Sequence, residues 1–324
     1  MRKIPGVTVI GGYLGAGKTT LLNHLLKTAQ GQRIAALVND LASINVDAAL
    51  VRRHPGETIG LANGCICCSL SRGFSAALAR IRARGAELDQ VLVEASGVAD
   101  PTRIARLVQA HGLALERVLV VADAEQVLEQ TRNAYVGGLV TRQLEQADLI
   151  VVNKADLVQE AELASLSSWV QEVAPHVPQV VSVRGEVSPE MLAGIHPRTE
   201  VRGETMNLAE EPRHPTIQAW SIACPNVLSV HDLARFAGGL NQDIYRAKGF
   251  VRLAEDPGQL FVYQQVGRRW GVEKSVDSTH DGAIVVIGQT GATTLAALQA
   301  LLQPGGEMAA ARNTTRLHFR GGNY

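Results

Sequence analysis

The sequence predicts an α/β protein: a doubly wound, mostly parallel sheet followed by a second, smaller α+β domain. Three observations carry the prediction. Short β-branched runs alternate with helical patterns from residue 4 to about residue 185. The runs are nearly continuous in apolar character, as strands covered on both faces are. At 324 residues, the chain exceeds the length over which one hydrophobic core usually keeps growing.

The strands are expected at Val7–Ile10, Ile34–Val38, Val91–Val93, Val118–Val121, Leu149–Val152 and Val180–Val183, each bounded by turn residues. Between them, Thr19–Gln30, Leu70–Arg84, Thr102–Ala110, Leu139–Gln146 and Gln159–Val173 place apolar residues three and four apart, which gives a helix one apolar face. From His196 to Pro215 the pattern breaks into Pro-, Arg- and Glu-rich sequence that reads as a linker. Residues 1–211 are therefore expected to form the first domain, 212–303 the second and 304–324 a weakly ordered tail. The second domain has strand runs at Ile217–Ala223, Gly249–Arg252, Leu260–Val266 and Ala283–Ile287, with helical patterns at Val230–Gly238 and Thr293–Leu302.

With 46% hydrophobic and 19% charged residues, the chain has apolar material for folded cores. Its 31 basic and 31 acidic residues cancel, so no global field draws it to nucleic acid or an acidic membrane. No stretch approaches the roughly 18 consecutive apolar residues of a membrane span. The apolar run after Met1 is too short for a signal peptide, and a cytoplasmic protein with neither membrane nor nucleic-acid partner is expected.

The segment Gly12-Tyr13-Leu14-Gly15-Ala16-Gly17-Lys18-Thr19 satisfies G-x-x-x-x-G-K-[ST], follows a strand run and opens a helix. Gly12, Gly15, Ala16, Gly17 and Thr20 lie along a backbone whose N–H groups suit phosphate oxygens, helped by the helix N-terminus. Lys18 is suited to the β- and γ-phosphates, and the Thr19 hydroxyl to Mg²⁺. Glu94-Ala95-Ser96-Gly97 closes a later strand. There Glu94 is the candidate acid for Mg²⁺, and the Gly97 N–H a candidate for the γ-phosphate. Asp123 also ends a strand, where a turn-capping role fits at least as well.

Asn153-Lys154-Ala155-Asp156 follows the fifth strand run. The Asp156 carboxylate can accept from guanine N1–H and the 2-amino group. Adenine lacks both donors, so GTP over ATP is expected, with GDP as the product. The competing reading makes Asp156 a helix cap.

Three of the 4 cysteines stand in Cys65-Ile66-Cys67-Cys68, after a turn-forming Asn63-Gly64. Three convergent thiolates select Zn²⁺ first, with Co²⁺, Ni²⁺ or Cu⁺ behind it, and leave one tetrahedral position open, which favours transfer over permanent structure. Buried inert thiols and a redox pair are the alternatives. The 9 histidines are scattered, which argues against bulk metal storage, and His24 reads as a packed or surface residue. Cys224 stands alone and reads as a small buried residue.

The phosphate loop, the Gly64–Cys68 motif, Glu94-Ala95-Ser96-Gly97-Val98-Ala99-Asp100-Pro101 and the stretch from Gln143 to Asp156 together resemble the CobW-type GTPases of the CobW/HypB/UreG group, metallochaperones and metal-insertion proteins with a P-loop fold. Tyr245-Arg246-Ala247-Lys248-Gly249-Phe250 and Val285-Val286-Ile287-Gly288 resemble the C-terminal domain of that family. The resemblance implies a nucleotide-responsive switch at Asn39–Asp47. In the family this segment usually reads N-E-F-G-E-x-x-x-D. Here Asn39 and Asp47 match, Asp40 is a shortened acid and Ser43 replaces the second glutamate.

The expected function is a GTP-hydrolysing metallochaperone, with Lys18, Thr19 and Glu94 in the catalytic centre and Asp40 as the candidate for orienting water. Its metal would sit on Cys65, Cys67 and Cys68 and pass to a client metalloprotein. Intrinsic turnover is expected to be slow, aided by the client or by a nucleotide-dependent homodimer. A GTP-dependent assembly factor that transfers no metal and an ATP-using P-loop kinase are the competing classes.

Overall fold

The computed structural model describes residues 4–29, 31–38, 58–60, 70–188, 192, 217–241, 243–267, 269–275 and 282–303. They form two compact units, one of residues up to 192 and one of residues from 217 on. The expected linker at 196–215 and the tail lie outside the described residues.

The first unit is built on β1 (Gly6–Gly11), β2 (Ile34–Val38), β3 (Thr58–Gly60), β4 (Gln90–Glu94), β5 (Ala114–Asp123), β6 (Leu149–Asn153) and β7 (Gln179–Val181). They form a seven-stranded sheet in the order β3-β2-β4-β1-β5-β6-β7, with every described pairing parallel. All residues of β1, β2 and β6 are buried, the signature of a sheet covered on both faces. The doubly wound prediction holds. From central β1 the strand order runs outward in both directions, and that reversal opens a crevice at the carboxyl end of β1.

The helices of this unit are α1 (Lys18–Thr28), α2 (Leu70–Ala83), α3 (Pro101–Ala110), α4 (Val127–Arg132), α5 (Gly137–Glu145) and α6 (Glu160–Val173). Leu21, Leu22, Leu25 and Leu26 of α1 share one core with Ile10, Ile34, Leu119, Leu149 and Val151 of the sheet. Full burial of one such leucine stabilises the fold by about 1.5–3 kcal/mol. This packing aims the start of α1 at the crevice. The sequence pattern missed β3 and α4, because a three-residue strand and a six-residue helix are too short to show a period. It also carried β7 two residues too far. The chain turns at Arg184 (φ 55°) and Gly185 (φ 70°), leaving Val183 exposed in a loop.

The second unit contains β8 (Ile217–Ala223), β9 (Val227–Leu228), α7 (Val230–Gly239), β10 (Ile244–Leu253), β11 (Asp256–Val266), β12 (Arg269–Lys274), β13 (Ala283–Gln289) and α8 (Leu295–Leu301). Its antiparallel sheet runs β12-β11-β10-β13-β8, and β9 adds a short parallel pairing to β10. The sequence reading missed β12, whose apolar Trp270 and Val272 flank Gly271. Pairing with β11 along its whole length holds it. Phe236 of α7 meets Tyr263 of β11 edge-on at 5.9 Å, joining helix to sheet.

Cys224 follows β8 and is buried at 6% exposure, as the sequence suggested. Burial pushes its thiol up to about 11, so it stays protonated and unreactive well above neutral pH. Iodoacetamide at pH 8.5 should leave Cys224 unmodified in the native chain and alkylate it in urea, as read by peptide mass spectrometry.

Candidate nucleotide site

The phosphate loop leaves β1 and enters α1 through three left-handed glycines, Gly12 (φ 125°), Gly15 (φ 79°) and Gly17 (φ 108°). Gly17 stands immediately before α1, and a Cβ there would lie 2.2 Å from Asn153 Nδ2. Any side chain at this position would be strained in backbone and collide with Asn153. Inside the loop, Lys18 is 96% buried at 4% exposure, and its Nζ donates to the carbonyl of Tyr13 at 3.1 Å. The ammonium thus folds back over the loop's own backbone, where phosphate oxygens would meet it.

Thr19, on the first turn of α1, donates through Oγ1 to Glu94 Oε1 at 2.8 Å. Glu94 ends β4 in register with Ile10 of β1 and Val38 of β2, and it is 3% exposed. A buried carboxylate and a hydroxyl converging beside a buried ammonium make a charged set of the kind that handles phosphates and a hard divalent cation.

The loop after Glu94 runs against the phosphate loop. Ala95 N donates to Ile10 O at 2.9 Å, and a Cβ on Gly97 would come within 2.7 Å of Leu14 N. Only glycine fits that approach. Asp100 then caps α3, its Oδ1 accepting from Thr102 N at 2.8 Å and from the Thr102 hydroxyl at 2.7 Å.

Asn153 ends β6. Its Nδ2 donates to Ala16 O at 2.8 Å and its Oδ1 accepts from Gly185 N at 2.8 Å. This one buried amide ties the phosphate loop to the strand that carries Asn153-Lys154-Ala155-Asp156. Lys154 adopts a left-handed φ of 63°, and its Nζ meets Asp123 Oδ2 at 2.6 Å. Asp123 also accepts from Glu125 N at 3.0 Å, so the turn-capping reading holds, but it misses the ion pair. Asp123 and Asn153 are register partners at the ends of β5 and β6, which brings Lys154 within reach. Asp156 is exposed in a short 3₁₀ turn (Ala155–Leu157), and the cap position of α6 belongs to Gln159, whose N–H donates to Glu162 at 2.9 Å.

Sequence reasoning missed the loop from Ser182 to Val187. Ser182 N donates to Val152 O at 2.8 Å, Ser182 O accepts from Ala155 N at 3.2 Å, and the His24 ring faces Val187 O at 3.0 Å. The signal available was Arg184-Gly185, a turn pair inside an apolar run.

The fold thus brings Gly12, Gly15, Ala16, Gly17, Lys18, Thr19, Thr20, Glu94 and Gly97 to one rim, and joins Asn153 to it by a hydrogen bond, while Lys154 is held by Asp123 at the end of β5. Asp40, the segment Asn39–Asp47 and Cys65, Cys67 and Cys68 lie outside the described residues. Among the described residues no group of three or more His, Cys, Asp and Glu side chains is placed to hold a metal ion, and no helix is long and apolar enough to cross a membrane.

Two family profiles match the chain. The CobW/HypB/UreG nucleotide-binding domain covers residues 6–181, and the cobalamin synthesis protein cobW C-terminal domain covers 217–304. The chain is 30% identical to the zinc chaperone CobW of Pseudomonas aeruginosa over 342 aligned positions, spanning 89% of this chain and 88% of that protein. It is 33% identical to the zinc chaperone YjiA of Escherichia coli over 165 positions, 48% of this chain and 51% of that protein. Among solved structures, the Zn(II)-bound YjiA GTPase from Escherichia coli superposes over 93% of this chain and 98% of that chain with a TM-score of 0.45 at 20% identity. With the nucleotide-binding profile matched from residue 6 to 181 and a 30%-identical relative along 89% of its length, the chain belongs to the CobW/HypB/UreG family.

Proposed function

We infer that this chain, a GTPase of the CobW/HypB/UreG family, uses GTP turnover to control the loading and release of a transition metal, zinc foremost, for a client metalloprotein. The observation that carries the nucleotide half is the Thr19 hydroxyl donating at 2.8 Å to the buried carboxylate of Glu94, beside the buried Lys18. Hydroxyl and carboxylate oxygens are the donors that Mg²⁺ takes, so the residues present fit that ion. Mg²⁺, when bound, supplies neutralisation of phosphate charge.

The chain's own residues do the rest. Lys18 and the amides of the phosphate loop hold the β- and γ-phosphate oxygens, and Gly97 offers its N–H to the γ-phosphate. Asp156 reads the guanine edge from a turn held by Asp123 and Lys154. Water attacks the γ-phosphorus, the bond to the β–γ bridging oxygen breaks, and GDP and phosphate leave. Asp40 is the candidate for orienting that water.

The metal half is supported by the Cys65-Ile66-Cys67-Cys68 spacing and by relatives named zinc chaperones. It is also supported by the edge of the sheet. Val38 of β2 and Gly60 of β3 are register partners, and the switch segment starts one residue after the first while Cys65 follows the second by five. Closure of Asn39–Asp47 on GTP would reorganise the thiolates, and hydrolysis would loosen them. A nucleotide-dependent homodimer and the client would supply what the single chain lacks for rapid turnover.

Three outcomes are expected. Asp156→Asn exchanges an acceptor for a donor and should lower GTP affinity by at least tenfold while raising XTP affinity, read by competition binding. Asp123→Ala should weaken GTP and GDP alike by about tenfold, roughly 1.4 kcal/mol, because the base-reading turn loses its ion pair. In a Zn²⁺ titration, a non-hydrolysable GTP analogue should shift zinc affinity by the same factor that zinc shifts the analogue's affinity, within about 5–150-fold. Equal zinc affinity with and without the analogue would remove the coupling, and a Cys65→Ala, Cys67→Ala, Cys68→Ala chain that still activates its client would favour an assembly factor.

A further inference from the structure

The loop that follows Glu94 is held from behind by one side chain of another element. Gln143, on α5, is 2% exposed, and its Nε2 donates to Ala99 O at 2.7 Å and to Gly97 O at 3.4 Å. Both acceptors are backbone carbonyls of the same five-residue turn between Glu94 and Asp100. Loop carbonyls buried away from water need a donor, and here a side chain 44 and 46 residues away supplies it.

The same turn touches the phosphate loop, since Gly97 has no room for a Cβ against Leu14 N. The turn is thus gripped from two elements, the phosphate loop and α5. Helix α5 belongs to the other half of the site. It leads through Ala147 and Asp148 into β6, and Asp148 is pinned to β5 by Val118 N donating to its Oδ2 at 2.7 Å and by its own N–H donating to Val118 O at 2.8 Å. At the far end of β6 stand Asn153 and Lys154. Gln143 therefore joins the turn that faces the phosphate loop to the helix that precedes the base-reading strand. The oxygen of this amide, Oε1, is buried with no hydrogen-bond partner among the described residues, and so is Ser96 Oγ in the turn itself. Two unsatisfied polar atoms cost free energy in one packed arrangement, and they mark the contact between turn and helix as one that can gain bonds in another arrangement.

We propose that Gln143 is a positioning residue for the γ-phosphate: it sets the Gly97 amide and passes a displacement of the Gly97–Ala99 turn to α5 and the base-reading strand. The proposal rests on the reading that Gly97 meets the γ-phosphate. A residue acting in this way affects triphosphate and diphosphate differently, because GDP has no group at that position. A residue that merely fills space would affect both.

The test compares Gln143→Leu and Gln143→Met with the parent chain, using GDP and a non-hydrolysable GTP analogue in equilibrium binding, single-turnover hydrolysis and thermal melts. Both variants keep the volume and remove the donated bonds. GDP affinity should stay within twofold, the GTP analogue should bind at least tenfold more weakly, and the hydrolysis step should slow by at least tenfold. Should one variant fail to fold, the other carries the measurement, and Gln143→Glu, which sets a carboxylate against two carbonyls, should show the same selective loss. Equal weakening of GDP and the analogue, or parent-like values for both, would overturn the proposal. Gly97→Ala separates the two readings: if it loses discrimination between the nucleotides while the Gln143 variants keep it, the role of Gln143 fails alone, and if no variant loses it, the γ-phosphate reading of Gly97 fails as well.

Discussion

The Asn153 amide is the interaction on which the candidate nucleotide site depends. It donates to the phosphate loop at Ala16 and accepts from the amide of Gly185, so one buried side chain ties three loops at a single rim. Hydrogen bonds between buried groups are individually modest, yet leaving one partner unsatisfied costs the full desolvation of that group. Asn153 has few substitutes. A shorter side chain reaches neither partner, and a carboxylate could not donate to Ala16. Gly17 is the other half of the same constraint, because any Cβ there would occupy the space of the Asn153 nitrogen.

Around this clamp the charges gather at two places. Lys18 and Glu94 are both below 5% exposed at the phosphate end, an arrangement that costs free energy to desolvate and so marks a functional centre better than a stabilising one. The partly exposed Lys154 and the buried Asp123 form an ion pair at the ends of β5 and β6, where it holds a non-glycine residue in a left-handed conformation. Gln143 lies between the two ends and bonds to backbone alone. The site is therefore assembled from side chains that fix loops, and the loops carry backbone amides at the rim. Phosphoryl transfer asks for positioning and preorganised charge, and this construction supplies both.

Much of this was readable in advance. The strands that line the crevice announce themselves as apolar runs because a parallel sheet buries both faces, and the phosphate loop and the Asn153–Asp156 turn announce themselves because each needs fixed residue types at fixed local spacing. For Asp123 the sequence supports a turn-capping role at least as well as a role at the site. Its local bond to Glu125 N is visible in sequence spacing, whereas its bond to Lys154 depends on β5 and β6 lying side by side. The Ser182–Val187 loop was hidden for a different reason: an apolar residue at a strand end and one in an exposed turn look the same until the backbone reverses. Its Arg184 and Gly185 turn decides the matter.

By itself, the sequence determined the α/β class, the phosphate-loop motif, the Asn153-Lys154-Ala155-Asp156 motif, the three-cysteine motif and the family, since each is encoded in residues close along the chain. The tertiary structure alone decided that Thr19 meets Glu94 across 75 residues, that Asn153 holds Ala16 across 137, and that Gln143 supports a turn 44 residues before it. The physical reason is the order of the strands. Placing β4 and β5 on either side of β1 makes neighbours of segments far apart in the chain, and no local pattern records which strand lies beside which.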